Sequence, residues 1–171
     1  MKYQVIYASK TGNTQQVADE IYDALPGEDK QIISVEEFDP QREADFYFVG
    51  FWTDRGSCSM EVADVLEQLN GKKLALFGTC GMGDDPEYYK TIQHQMDAWT
   101  PDTYTDLGFF LCQGRMQQGV KDKYEAMEGK MPEEQRQRML RQWETGQNHP
   151  DETDFAHVRG FVEQVLGKLH A

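Results

Sequence analysis

Tyr3-Gln4-Val5-Ile6-Tyr7-Ala8 runs directly into Ser9-Lys10-Thr11-Gly12-Asn13-Thr14, and this stretch decides the fold. The first six residues are rich in β-branched and aromatic side chains, the composition of a buried strand. After Thr14, apolar Val17, Ala18, Ile21, Tyr22 and Leu25 recur at helical spacing, and Pro26-Gly27 stops the pattern. A strand, a hydroxyl-rich turn and a helix therefore follow one another without a spacer. The helix start offers unpaired N–H groups and a positive dipole end. Ser9, Thr11 and Thr14 add hydroxyls, Asn13 adds an amide, and Gly12 permits a sharp turn. Such a turn can cradle a phosphate without Arg or Lys. It is neither a GxxxxGK[ST] loop nor a GxGxxG fingerprint. The blander reading is that Ser and Thr only cap the helix; their place directly after the first strand favours phosphate.

The same alternation continues along the chain. Ile32-Ile33-Ser34-Val35 reads as a second strand, and Phe46 to Phe51 as a third, apolar on both faces as a central parallel strand should be. A polar loop, Trp52 to Ser59, precedes a helical stripe of Val62, Val65, Leu66 and Leu69. Leu74 to Gly78 is a fourth strand, left through a glycine-rich loop, Thr79 to Asp85. Pro86 suits the first position of a helix reaching about Trp99. Leu107 to Cys112 is a fifth strand, and Phe155, Val158, Phe161, Val162, Val165, Leu166 and Leu169 mark a last helix. This pattern predicts one doubly wound α/β domain over residues 1–171, with a five-stranded parallel sheet. Ligands of such sheets bind outside the carboxyl ends of the strands. Those ends carry the loops at Ser9–Thr14, Trp52–Ser59 and Thr79–Asp85, and the segment that starts at Gln113.

Residues 113–150 exceed the minimal pattern and read as an insertion before the last helix. They hold seven basic and six acidic residues, net +1, which leaves −14 for the rest of the chain. Pro132-Glu133-Glu134 is a helix start, with acids at the positive dipole end. Met139, Leu140 and Trp143 share one face of that helix, and Met116, Met127 and Met131 also lie in the segment. Such a surface suits either an ordinary packed excursion or an adaptable face that docks a partner or covers a ligand.

Ser9-Lys10-Thr11-Gly12-Asn13-Thr14 resembles the FMN-phosphate loop of the flavodoxin family, (S/T)-x-T-G-x-T. Phe77-Gly78-Thr79-Cys80-Gly81-Met82-Gly83-Asp84 is similar to that family's second flavin loop, FGS-x-G-x-GD. The resemblance covers residues 1–112 and the last helix. It implies a flavodoxin-like sheet of strand order 2-1-3-4-5, non-covalent FMN and electron transfer. By the same resemblance Ser9, Lys10, Thr11, Gly12, Asn13 and Thr14 hold the phosphate, and Thr79, Cys80, Gly81, Met82 and Gly83 line the isoalloxazine. Met82 stands where family members usually carry a stacking aromatic; Trp52, in the preceding loop with Thr53, is the expected aromatic platform on the other face of the ring. A backbone carbonyl at Gly56 is the expected acceptor for flavin N5. The insertion followed by His149-Pro150-Asp151-Glu152 is similar to accessory flavodoxin-like proteins that accompany anaerobic reductases, those of bilirubin reduction among them.

The composition sets the remaining bounds. The 171 residues are 39% apolar and 27% charged, which excludes disordered and fibrous classes. No stretch approaches 18 apolar residues and the N-terminus lacks a signal-peptide core, so we expect a cytoplasmic protein without a membrane segment. A net charge of −13 repels nucleic acid and steers toward basic surfaces, so the expected partner is a redox protein with a basic docking face. Cys58, Cys80 and Cys112, with His94, His149, His157 and His170, form no disulfide framework and no metal-ligand spacing. A ring buried in apolar contacts under this acidic field accepts electrons less readily, which lowers its potential. No catalytic acid–base pair stands out, so the chain reads as a carrier sooner than as an enzyme. Two alternatives stay open: an FMN-dependent reductase of a quinone, nitro compound or tetrapyrrole, roofed by residues 113–150, and a binding module that has lost the flavin.

Overall fold

The computed structural model describes residues 1–83 and 85–171; Asp84, the last residue of the second glycine-rich motif, lies outside the described residues. The elements run β1 (Tyr3–Tyr7), α1 (Asn13–Ala24), β2 (Lys30–Ser34), a 3-10 turn (Val35–Glu37), β3 (Phe46–Trp52), α2 (Met60–Glu67), β4 (Lys73–Cys80), α3 (Pro86–Asp97), β5 (Thr105–Gln113), α4 (Gln118–Ala126), α5 (Glu133–Gly146) and α6 (Glu152–Leu169). The strands form one parallel sheet in the order β2-β1-β3-β4-β5. The chain reverses direction across the sheet between β1 and β3, so the loops after β1 and β3 open side by side.

The period of two along β3 builds both cores. Phe46 and Phe48 face α1 and α6, among Val17, Ile21, Val158 and Val162. Tyr47, Val49 and Phe51 face α2 and α3, among Val62, Leu66, Ile92 and Met96. Each such side chain contributes about 1.5–3 kcal/mol by leaving water. At the carboxyl end of the sheet, β3 and β4 share two reciprocal pairs, Gly50 with Phe77 and Phe51 with Gly78. Each aromatic ring lies over the glycine opposite, where a Cβ would collide with it. These glycines are required by their neighbours' rings, and the pairs stiffen the sheet directly beneath the loops of interest.

Several boundaries differ from the sequence expectation; β4, for one, runs on through Thr79 and Cys80, which the sequence reading places in the glycine-rich loop. Val35 leaves the second strand for a 3-10 turn, because Ser34 and Glu37 form a capping box there. β5 begins at Thr105 and bulges near Gly108, whose φ is 142° and whose N–H donates to Asp106 Oδ1 at 2.9 Å. The segment after β5 folds into two helices, of which the sequence reading placed only α5. The signal for α4 was present: Val120 and Tyr124, with Met127 at the C-cap, recur at helical spacing and are half-buried, as is Lys121.

Candidate functional site

The turn after β1 is held by its own side chains. Gly12 takes φ 89°, a left-handed value that glycine adopts without strain, and serves as N-cap of α1. Ser9 Oγ accepts hydrogen bonds from the Gly12 and Gln15 amides at 3.1 and 3.3 Å. A side-chain oxygen thus sits where an anionic oxygen would meet the first free N–H groups of the helix. Thr14, fully buried, shares a hydrogen bond with Thr79 Oγ1 at 2.9 Å and ties this turn to the end of β4. Asn13 is also buried, and its amide is committed: Nδ2 donates to Thr11 Oγ1 at 3.0 Å and to the Arg115 carbonyl at 2.8 Å.

Two clefts flank a partition made by Lys10 and Trp52, whose ammonium stands 5.0 Å from the indole centroid. One cleft, about 420 Å³, opens toward Ser9, Gln15 and Glu61. The other, about 170 Å³, lies between the turn after β1, the end of β4 and the start of the insertion. Thr53 lines this second cleft, and its buried Oγ1 finds no hydrogen-bond partner among the described residues. A buried hydroxyl left unmatched costs about 1–3 kcal/mol, and a polar ligand in the cleft would remove that cost. Its backbone is fixed, with the Thr53 amide donating to the Thr79 carbonyl at 2.9 Å.

Beyond Thr53 the loop makes a two-residue hairpin. Asp54 and Ser57 exchange backbone hydrogen bonds at 2.8 and 3.0 Å, and Arg55 and Gly56 both take positive φ, 51° and 82°. That is the signature of a type I′ turn. Trp99 braces it from outside, donating Nε1–H to Ser57 Oγ at 2.8 Å.

The loop after β4 is gripped by the insertion. Gln113, at the end of β5, is buried, and its Nε2 donates to the Gly81 carbonyl at 3.0 Å and the Gln142 carbonyl at 3.2 Å. Gln142, on α5, accepts the Gly83 amide at 2.8 Å through Oε1. Arg138, one turn earlier on α5, donates to Asp85 Oδ2 at 2.7 Å. Met116 packs on Gly81, where a side chain would collide with its sulfur. Trp143 Nε1 donates to the Gln117 carbonyl at 3.0 Å, and Gln147 Nε2 donates to the Met116 carbonyl at 3.2 Å, so α5 also fixes the residues that lie over the cleft. The motif that closes the insertion has a structural use: Asp151 and Asp154 form the capping box of α6, and His149 Nδ1 lies 2.6 Å from Asp154 Oδ2.

Of the residues the sequence singled out, the structure gathers Lys10, Thr11, Asn13, Trp52, Thr53, Thr79, Cys80 and Gly81 around the smaller cleft and Ser9 beside the larger one. Gly12 and Thr14 shape the turn from below. Gly56 sits at the hairpin tip, and Gly83 is buried beneath α5; neither lines these two clefts, nor does Met82, whose carbonyl accepts from the Cys80 thiol at 3.1 Å. Sequence reasoning named Gln113 as the start of a segment at this end of the sheet and Met116 among the methionines of a face that could cover a ligand, but it gave Arg115 and Gln142 no place at the site, since nothing in their local pattern marks them. Burial pushes the Cys80 thiol up to about 12 and the Cys112 thiol well above its ordinary value, so both stay protonated and unreactive at neutral pH.

Residues 4–163 match the flavodoxin domain family. The chain is 35% identical over 173 residues to the flavodoxin-like domain-containing protein BilS of Clostridioides difficile (strain CD3), covering 98% of each chain. It is 32% identical over 183 residues to BilS of Clostridium symbiosum (strain WAL-14163), covering 95% of this chain and 94% of that one. Among solved structures, the flavodoxin of Streptococcus pneumoniae TIGR4 superposes with a TM-score of 0.63 at 19% identity, over 98% of this chain and 99% of that one. A short-chain flavodoxin associated with a PDU bacterial microcompartment gives 0.61 at 20% identity, with the same coverage. With its sheet order, its two loop motifs and these relatives in agreement, the chain belongs to the flavodoxin family, whose cofactor is FMN.

Proposed function

We propose that this protein is an electron carrier that holds FMN across the ends of β1, β3 and β4 and delivers electrons to a partner reductase. The cleft beside Trp52, lined by Thr53, whose buried hydroxyl is left without a partner among the described residues, carries the reading. It offers one polar contact beside an aromatic face, which is what a flavin with its hydroxylated side chain requires. Ser9, Thr11, Gly12 and Gln15 would receive the phosphate at the start of α1, with Ser9 Oγ giving up its place to a phosphoryl oxygen. Trp52 would stack on the ring system once the Lys10 ammonium swings off the indole. Thr79 and Gly81 would border the ring on the β4 side. Bound there, FMN supplies the capacity to accept and release electrons; the chain supplies binding, orientation and a negative field.

Two features support a carrier over an enzyme with its own organic substrate. The hydrogen bonds of α5 go to the loop after β4 and to residues 116–117, so the insertion acts as a brace. Glu61, exposed in the first turn of α2 directly after the Trp52–Ser59 loop, and Asp64 and Glu67, exposed further along the helix, make an acidic face that suits a basic one on the partner. The full-length likeness to the BilS proteins supports the accessory role, serving a separate reductase.

The test is titration of the purified chain with FMN, followed by anaerobic reduction and mixing with candidate reductases. Stoichiometric binding, with quenching of flavin fluorescence and transfer of electrons to a reductase, is the expected result. Absence of FMN binding overturns the reading. Steady turnover of a small acceptor by the isolated protein would move it to the reductase class.

A further inference from the structure

We propose that the groove between α2 and the turn after α3 is where this protein docks its partner reductase, with Trp99 as the anchor and three carboxylates that select a basic segment of that partner; this rests on the carrier reading above. The apolar residues of α2 and α3 that meet the sheet, Val62, Leu66, Ile92 and Met96, are buried. Met60, at the start of α2, is 60% exposed, and Trp99, just after α3, is 38% exposed; apart from Met1 they are the exposed large hydrophobics among the described residues. Single exposed apolar side chains are ordinary, but these two line one groove of about 520 Å³, together with Ala63, Ala98 and Pro101. Trp99 is also held in place. Its main-chain N–H donates to the Met96 carbonyl at 2.9 Å and its Nε1–H to Ser57 Oγ at 2.8 Å. The part of the ring left open to solvent is thus presented without a further cost of ordering, as an interface anchor requires.

The charge of the groove names the occupant. Asp64, Glu67 and Asp102 line it, and no Lys or Arg does. None of the three carboxylates has an ion-pair partner among the described residues. They do not converge on one point either: the group near enough to share a metal ion among the described residues is His149, Asp151 and Asp154, elsewhere on the molecule. Separated carboxylates beside exposed apolar residues fit an extended surface on which Lys or Arg side chains flank an apolar one. A second copy of this chain brings −13 of its own, so like charges oppose it, whereas a basic partner is attracted. The groove also reaches the redox site. Ser57, the acceptor for Trp99, closes the hairpin with Asp54, so a partner seated on Trp99 meets the loop that carries Trp52, the proposed flavin platform.

The test uses the FMN-loaded chain and the reductase that accepts its electrons in the experiment above, with the affinity of the complex read across a salt series and the FMN affinity of each variant as the check on its fold. Neutralising the groove by Asp64→Asn, Glu67→Gln and Asp102→Asn together should weaken the complex by about tenfold at low salt and flatten its salt dependence. The same neutralisation at three exposed acids on α1, the turn after it and α6, by Asp23→Asn, Glu28→Gln and Glu163→Gln, should leave it nearly unchanged. Trp99→Ser should weaken the complex by about tenfold or more at every salt concentration. Ser57→Ala frees the hairpin but keeps the ring, and should cost the complex far less. A loss with Ser57→Ala equal to that with Trp99→Ser would mean that Trp99 acts only through the hairpin, and the proposal fails. Equal weakening by the two triple variants would assign the effect to net charge alone and overturn it too. So would a dimer of the wild-type chain that Trp99→Ser dissolves, since the groove then belongs to a second copy. If the wild-type chain binds FMN yet passes electrons to no reductase, the carrier reading itself is wrong and this inference falls with it.

Discussion

Thr14 Oγ1 and Thr79 Oγ1 lie 2.9 Å apart, both side chains buried, and join the turn after β1 to the end of β4. One hydroxyl must donate and the other accept, so neither is satisfied alone. Replacing Thr79 by Val should cost about 1–3 kcal/mol of stability, because the Thr14 hydroxyl is then buried without a partner. The double change Thr14→Val with Thr79→Val should cost less than the sum of the two single changes, since no unmatched polar group remains. Denaturant unfolding of the four proteins checks this.

Gln142 accepts the Gly83 amide and reaches the buried Gln113, so α5 sets the conformation of the loop after β4. Gln142→Leu should release that loop at a cost of about 1–3 kcal/mol. Hydrogen exchange at the Gly83 amide should rise strongly while exchange in β1 and β3 stays unchanged. Gln142→Glu keeps the acceptor oxygen and should keep Gly83 protected. Equal protection of Gly83 in all three proteins would show that the contact is idle.

The first turn of α5 carries a pH dependence. Arg136 bonds both carboxylate oxygens of Glu133, at 2.9 and 2.6 Å, and with Gln137 it holds that carboxyl down at about 2, against an ordinary 4.5. A carboxylate depressed in the folded state adds stability that is present in full above about pH 4.5 and lost as pH falls toward 2. The start of α5 should therefore loosen across that window. Hydrogen exchange in residues 133–140 should show it, and Glu133→Gln should abolish the dependence there.

The thiols make a graded prediction. Cys58 is half-buried, while Cys80 and Cys112 are buried, and burial raises all three above the ordinary thiol range. Iodoacetamide at pH 7.5 should modify Cys58 first and slowly, leaving Cys80 and Cys112 intact until denaturant is added. Mass spectrometry of peptides from native and unfolded samples reads the order directly. Rapid native labelling of Cys80 would contradict the packing at the end of β4.

What the sequence determined by itself is what short-range pattern controls. The hydroxyl-rich turn after Tyr3–Ala8, the two-sided apolar run at Phe46–Phe51 and the helix start at Pro132-Glu133 are each legible, because strand period, helix period and turn chemistry act within a few residues. That alternation gave a doubly wound parallel sheet, and the strand order came from the family resemblance. The tertiary structure alone decided which of those residues meet. Asn13 and Arg115 are 102 positions apart, and nothing in either local pattern predicts a 2.8 Å hydrogen bond between them. Likewise Gln113 and Gln142 read as ordinary polar residues until β5 and α5 pack and enclose them beside Gly81 and Gly83. Contacts of this kind arise when elements already formed bury their faces together, so their identity is fixed by packing geometry, which local spacing does not encode.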